Sequence, residues 1–160
     1  MNDIDHSGQQ PDWRKLAVDA FNASWALMDA PNRTPEDESL LIHTAHASAY
    51  LWAQAPECTP ENVERGEWLI SRVYAVLNHP SPALFHAGRC LAICEQHGIG
   101  DWDIAFAHEA MARASAASGD RDGFENHYRQ AQDLGGQIAD ADDRQLLLND
   151  LGSGPWFGMR

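Results

Sequence analysis

Lysine is almost missing from this chain: Lys15 stands alone beside ten arginines, and together they face 24 acidic residues. The formal net charge of −13 repels nucleic acid and anionic membrane, because affinity for both rests on Lys and Arg. Neither is expected as a partner. Cysteine is scarce too, with three residues and no CxxC pair, so a complete set of internal disulfides is excluded. Cys90 and Cys94, one helical turn apart, read as small buried thiols of an intracellular protein. No apolar run approaches a membrane span, and Met1 to Gln10 lacks the basic start and apolar centre of a secretion signal. The cytoplasm is the expected location. Nucleophile elbow, P-loop, dinucleotide fingerprint and HExxH are all lacking, so no cofactor is expected. Apolar alternation over several residues is missing as well, which leaves no credible strand.

What is present is helical. Hydrophobic residues make up 44% of the 160, enough for one domain with a real core. Pro, Gly and Asp signals divide the chain into seven apolar patterns of helical period. They run over about 11–29, 35–54, 60–77, 80–98, 101–118 and 140–151, with a sixth pattern starting after Gly119-Asp120 and carrying Phe124, Tyr128, Ala131 and Leu134 on one face. Thr34 and Thr59, each followed by Pro, read as caps, and the Gly98–Asp101 loop reads as a C-cap followed by an N-cap. The expected organisation is a flexible N-terminus over 1–11, a single helical domain over 12–151 and a flexible tail over 152–160. Trp156 and Phe157 lie in that tail and read as part of a loose end.

Inside the domain a repeat is visible. Ser71, Tyr74, Asn78, Ala83, Ala87 and Cys90 have the same spacing as Ala112, Ser115, Gly119, Phe124, Tyr128 and Ala131, at an offset of 41 residues. Two helical patterns and a tight turn repeated in this way indicate an α-solenoid. The spacing of small and aromatic residues resembles the tetratricopeptide repeat (TPR), with Tyr74, Ala83, Ala87 and Cys90 matching in one unit. Gly119-Asp120, Tyr128 and Ala131 match in the next, and Trp13, Leu16, Ala17 and Ala20 look like the start of an earlier one. The offset exceeds the family's usual period of about 34 residues. The strings HTAHAS, RGEW, SRVYAVL and GDWDIAFAHEA are also similar to small uncharacterised bacterial proteins of that fold. The resemblance implies an all-α, TPR-like solenoid of about three antiparallel helix pairs plus a short C-terminal capping helix.

The same resemblance implies that alternate helices line a concave groove. It places Arg65, Trp68 and Arg72 there from the third helix, with Phe106, Glu109 and Arg113 from the fifth. Guanidinium groups beside aromatics suit a protein or peptide partner, or a small acidic ligand. The same arginines could instead form bridges between helices, with Glu64, Glu67, Asp101, Asp103 and Glu109 as available partners. His43 and His46, three apart on one helix, raise an alternative: a metal-dependent or small-molecule-binding enzyme or sensor, completed by a neighbouring carboxylate, Glu67 or Glu109. Two histidines bonded to neighbouring helices are the simpler reading of that pair. Self-association through the open ends of the stack is a further expectation.

Overall fold

A computed structural model of the chain describes residues 10–160. These residues form seven helices and no strand: α1 (Trp13–Met28), α2 (Pro35–Gln54), α3 (Pro60–Val76), α4 (Pro80–His97), α5 (Asp101–Ser118), α6 (Arg121–Gly135) and α7 (Ala141–Gly152). Each boundary lies within a few residues of the one read from the sequence. The expected flexible segment over 1–11 falls almost wholly outside the described residues. No helix among them is long and apolar enough to cross a membrane.

The helix ends are set by local chemistry. Thr34 and Asp37 form a reciprocal capping box: the Asp37 N–H donates to the threonine hydroxyl at 3.2 Å, and the Thr34 N–H donates to the Asp37 carboxylate at 2.9 Å. Asp12, Asp120 and Asp140 likewise accept backbone N–H groups at the starts of α1, α6 and α7. Asp101 does not cap α5 as the sequence suggests. It has a positive φ of 53°, and its carboxylate accepts from the Ala139 N–H at 3.4 Å instead.

The 41-residue repeat is visible in the backbone. Asn78 and Gly119, equivalent in the two units, both adopt left-handed φ values, 59° and 80°. The next N–H in each turn reaches back five residues, His79 to Tyr74 at 2.8 Å and Asp120 to Ser115 at 3.0 Å. Each closes the helix end with the same paired turn. Equivalent core positions agree too, with Ser71, Ala83 and Cys90 buried in one unit and Ala112, Phe124 and Ala131 in the other.

Packing follows chain order. The helices pair as α1/α2, α3/α4 and α5/α6, and neighbouring pairs meet through α2/α3, α4/α5 and α3/α5. Small residues permit close approach. A Cβ on Gly66 would lie 3.3 Å from the Ala49 Cβ on α2, and one on Gly135 would lie 2.6 Å from Leu147 on α7. α5 is the central rod, buried along most of its length by Ala105, Ala107, Ala110, Ala112 and Ala114. α7 packs across α5 and α6, burying Leu147 and Leu151.

The segment after α7 departs from the sequence reading of a loose end. Trp156 is buried, with its ring centroid 5.6 Å from Phe124 and 5.3 Å from Tyr128. The Arg113 guanidinium lies 4.3 Å from the centroid of the same ring. Trp156 does not hold the segment alone: Met159 packs against the same core, and Arg160 donates to the Tyr128 hydroxyl and to the Leu151 carbonyl.

Candidate functional site

The arginines of the expected groove divide into two groups. Arg72 and Arg113 are buried against Glu109 and Asp150. Arg72 donates to Glu109 Oε1 at 3.1 Å and to both Asp150 carboxylate oxygens at 3.2 Å. Arg113 donates to Glu109 through Nε at 2.7 Å and again through Nη2, which also reaches the Asp150 carbonyl at 3.2 Å. Two cations and two carboxylates therefore close on themselves. The expectation that Arg72, Glu109 and Arg113 face an open groove is corrected: α7 and Trp156 cover them, and their charges are spent on helix–helix pairing.

Arg65, Trp68 and Phe106 do reach open space. They line a cleft of about 480 Å³ bounded by four helices. α1 supplies Phe21 and Trp25, α3 supplies Glu64, Arg65 and Trp68, α5 supplies Trp102, Asp103 and Phe106, and α7 supplies Leu146 and Asp150. The aromatic rings form a continuous wall. Trp25 and Trp68 have centroids 6.0 Å apart, while Trp68–Phe106 and Trp102–Phe106 meet edge to face at 5.7 Å. Such contacts hold ring orientations without further polar support. Arg65 donates in bidentate fashion to Asp103, both bonds 2.9 Å, and lies over the Trp102 ring at 4.5 Å.

Glu64 is the unusual member. It is 1% exposed, and one carboxylate oxygen accepts from the Cys90 thiol at 2.9 Å while the other has no partner. Burial, with the Asp103 carboxylate nearby, raises its pKa to about 7. The hydrogen bond with Cys94, burial and the Glu64 charge together hold the Cys90 thiol well above its ordinary range. Trp68 Nε1–H is likewise buried without a partner. Cys90 and Cys94 are buried free thiols, as their spacing suggests.

The second constellation, His43, His46 and Glu67, is held in other contacts. His43 is exposed. His46 Nε2 lies 3.0 Å from the Tyr74 hydroxyl. Glu67 engages His86 Nδ1 at 2.6 Å and accepts from Arg89 Nε at 2.8 Å. Burial pushes the Glu67 carboxyl up, but those two hydrogen bonds outweigh it and hold its pKa below the ordinary value. Among the described residues no group of three or more His, Cys, Asp or Glu side chains is placed to hold a metal ion.

Sequence reasoning missed Phe21, Trp25, Glu64, Trp102, Asp103, Leu146 and Asp150 as members of one site. A signal was available, because Phe21–Trp25, Glu64–Trp68 and Trp102–Phe106 are each four apart and so share a helix face. What makes them converge is the crossing of α1, α3 and α5, which no local spacing reports. Compared with known proteins, the chain matches no family model, no curated protein and no solved structure.

Proposed function

We propose that this protein is a binding module, a TPR-like helical stack whose inner wall carries a ligand site in the aromatic cleft. The occupant is a compact apolar group, either a side chain of a protein or peptide partner or a small organic molecule. The observation that carries this reading is the wall of five aromatic rings around about 480 Å³ of open space. A cleft of that size and lining is typical of ligand pockets. The peptide-binding expectation from the sequence is kept in this narrower form. Its aromatic half survives, whereas the arginine clamp does not, since Arg72 and Arg113 have no free face.

Three cleft tryptophans, Trp25, Trp68 and Trp102, provide the readout. Titration with 4-phenylbutanol, a neutral probe of the expected shape, is expected to give a saturable change in tryptophan emission. Trp102→Ala removes one wall and is expected to weaken binding roughly tenfold, the loss of one aromatic anchor. The circular dichroism of the variant reports whether it remains folded. A linear, unsaturable response, or a folded variant binding as tightly as wild type, would refute the cleft as the site.

A further inference from the structure

We infer that the cleft selects an organic cation, a primary alkylammonium group carried on an apolar or aromatic body. The inference rests on the cleft being the binding site and adds the chemical class of its occupant.

Charge accounting in the lining leads to this class. Four charged side chains border the cleft: Glu64, Arg65, Asp103 and Asp150. Arg65 and Asp103 neutralise one another through two hydrogen bonds of 2.9 Å. Asp150 is matched by Arg72, at 3.2 Å to each oxygen. Glu64 alone has no cationic partner: one oxygen takes the Cys90 thiol and the other takes nothing. The lining therefore carries one uncompensated negative charge when Glu64 is ionised, and it is held in low dielectric where it is costly.

An ammonium group answers each part of that arrangement. Its N–H donors fit the orphan carboxylate oxygen, and its charge removes the penalty of burying Glu64 ionised. Its attached methylenes carry partial positive charge and fit the aromatic wall of Trp25, Trp68 and Phe106. An anion would meet three carboxylates, Glu64, Asp103 and Asp150, against the single guanidinium of Arg65, whose Nε and Nη2 are already held by Asp103. A neutral body would fill the volume but leave the orphan oxygen unanswered. The overall charge of −13 also favours approach of a cation over that of an anion.

The groups that bear on Glu64 come from several helices. Arg65 shares α3, Cys90 and Cys94 belong to α4, Asp103 to α5 and Asp150 to α7, while α1 contributes only Phe21 and Trp25. Raising the pH through about 7 ionises Glu64 before a primary alkylamine loses its proton. Cation affinity therefore grows over that interval, and the affinity of a neutral probe does not.

The test uses one carbon skeleton with three head groups: 4-phenylbutylamine, 4-phenylbutanol and 4-phenylbutyrate, titrated by tryptophan emission. At pH 8 the amine is expected to bind at least roughly tenfold tighter than the alcohol, as a charge-assisted hydrogen bond provides. The carboxylate is expected not to bind. Glu64→Gln is expected to bring the amine-to-alcohol ratio close to one. If that variant does not fold, the wild-type pH profile decides, since amine affinity must rise between pH 6 and 8 while that of the alcohol stays flat. Alcohol binding equal to or tighter than amine binding, or a flat amine profile, would overturn the cation inference and leave the cleft standing. Failure of all three probes would overturn both.

Discussion

Arg65 and Arg113 each bond a carboxylate on α5, yet their side chains are 42% and 1% exposed. That difference decides what each is worth. An exposed guanidinium keeps most of its hydration, so its ion pair contributes about 1 kcal/mol or less. A buried one has surrendered its water, and removing it leaves the buried Glu109 carboxylate with Arg72 as its remaining donor. Arg113→Ala is therefore expected to destabilise the fold by about 3–5 kcal/mol, whereas Arg65→Ala, which gives up a half-exposed guanidinium but leaves the buried Asp103 carboxylate without its donor, costs about 1–3 kcal/mol. Urea unfolding of the two variants checks this, and equal losses would show that burial does not separate them. Removing both Arg72 and Arg113 is correspondingly a test of folding rather than of ligand capture.

At the scale of the element, the repeated turn is the feature with the clearest energetics. Gly119 closes α5 at a φ of 80°, with no heavy atom within 4 Å of where a Cβ would stand. Gly119→Ala meets no clash, so its cost is backbone strain alone, about 1–2 kcal/mol. Gly88, inside α4, also has open space around its Cβ position but has no positive φ. The same substitution there removes unfolded-state freedom and raises helix propensity, a gain of about 0.5–1 kcal/mol. Opposite shifts in melting temperature are the expected result. A loss at both glycines would mean that α4 is more strained at Gly88 than its geometry indicates.

Across the whole molecule, the C-terminal segment locks α7 onto the α5/α6 pair. Trp156 fills the space between Phe124, Tyr128 and Arg113, so Trp156→Ala is expected to cost about 3 kcal/mol or more, while the more exposed Phe157→Ala costs under about 0.5 kcal/mol. Comparable losses from the two would argue against a docked Trp156. Titration also acts on the molecule as a unit. Burial raises Glu64 from the ordinary 4.5 to about 7, so its contribution is full below 4.5 and is lost as pH rises toward 7. His108 is lowered from 6.5 to about 4 by burial and by His127, whose Nδ1 lies 2.9 Å away, and burial lowers His127 as well. That pair contributes fully above 6.5 and loses its contribution as pH falls toward 4. The slopes oppose one another between about 4.5 and 6.5, which flattens the wild-type dependence. In Glu64→Gln only the histidine side remains, and urea midpoints are expected to rise with pH across that window. A variant as flat as wild type would contradict the assignment.

Helix number, helix limits and the 41-residue repeat were legible because they are local. Pro at helix starts, Thr34 as a cap, Gly98 as a left-handed stop and Gly119-Asp120 as a turn act within a few residues of the bonds they make. The grouping of Trp68 with Phe106 was an expectation of the resemblance to the tetratricopeptide repeat, which implies that the third and fifth helices share an inner wall. Several things were not legible. Glu64 reads as a bridge partner for the arginines until α4 buries it beside Cys90, and Trp156 reads as part of a loose end until Phe124 and Tyr128 receive it. The fate of the arginines was half legible: bridges to Glu109 and Asp103 were an open reading, but the part of Asp150 on α7 was hidden, because α7 reaches Arg72 only in the tertiary structure. Short-range sequence thus determined the rods and their ends, where the deciding forces are backbone hydrogen bonds and dihedral preference. Tertiary structure alone decided which charges are neutralised and which one stays uncompensated in the cleft. Desolvation and pairing depend on what the other helices bring within a few ångströms, and no spacing along one helix encodes that.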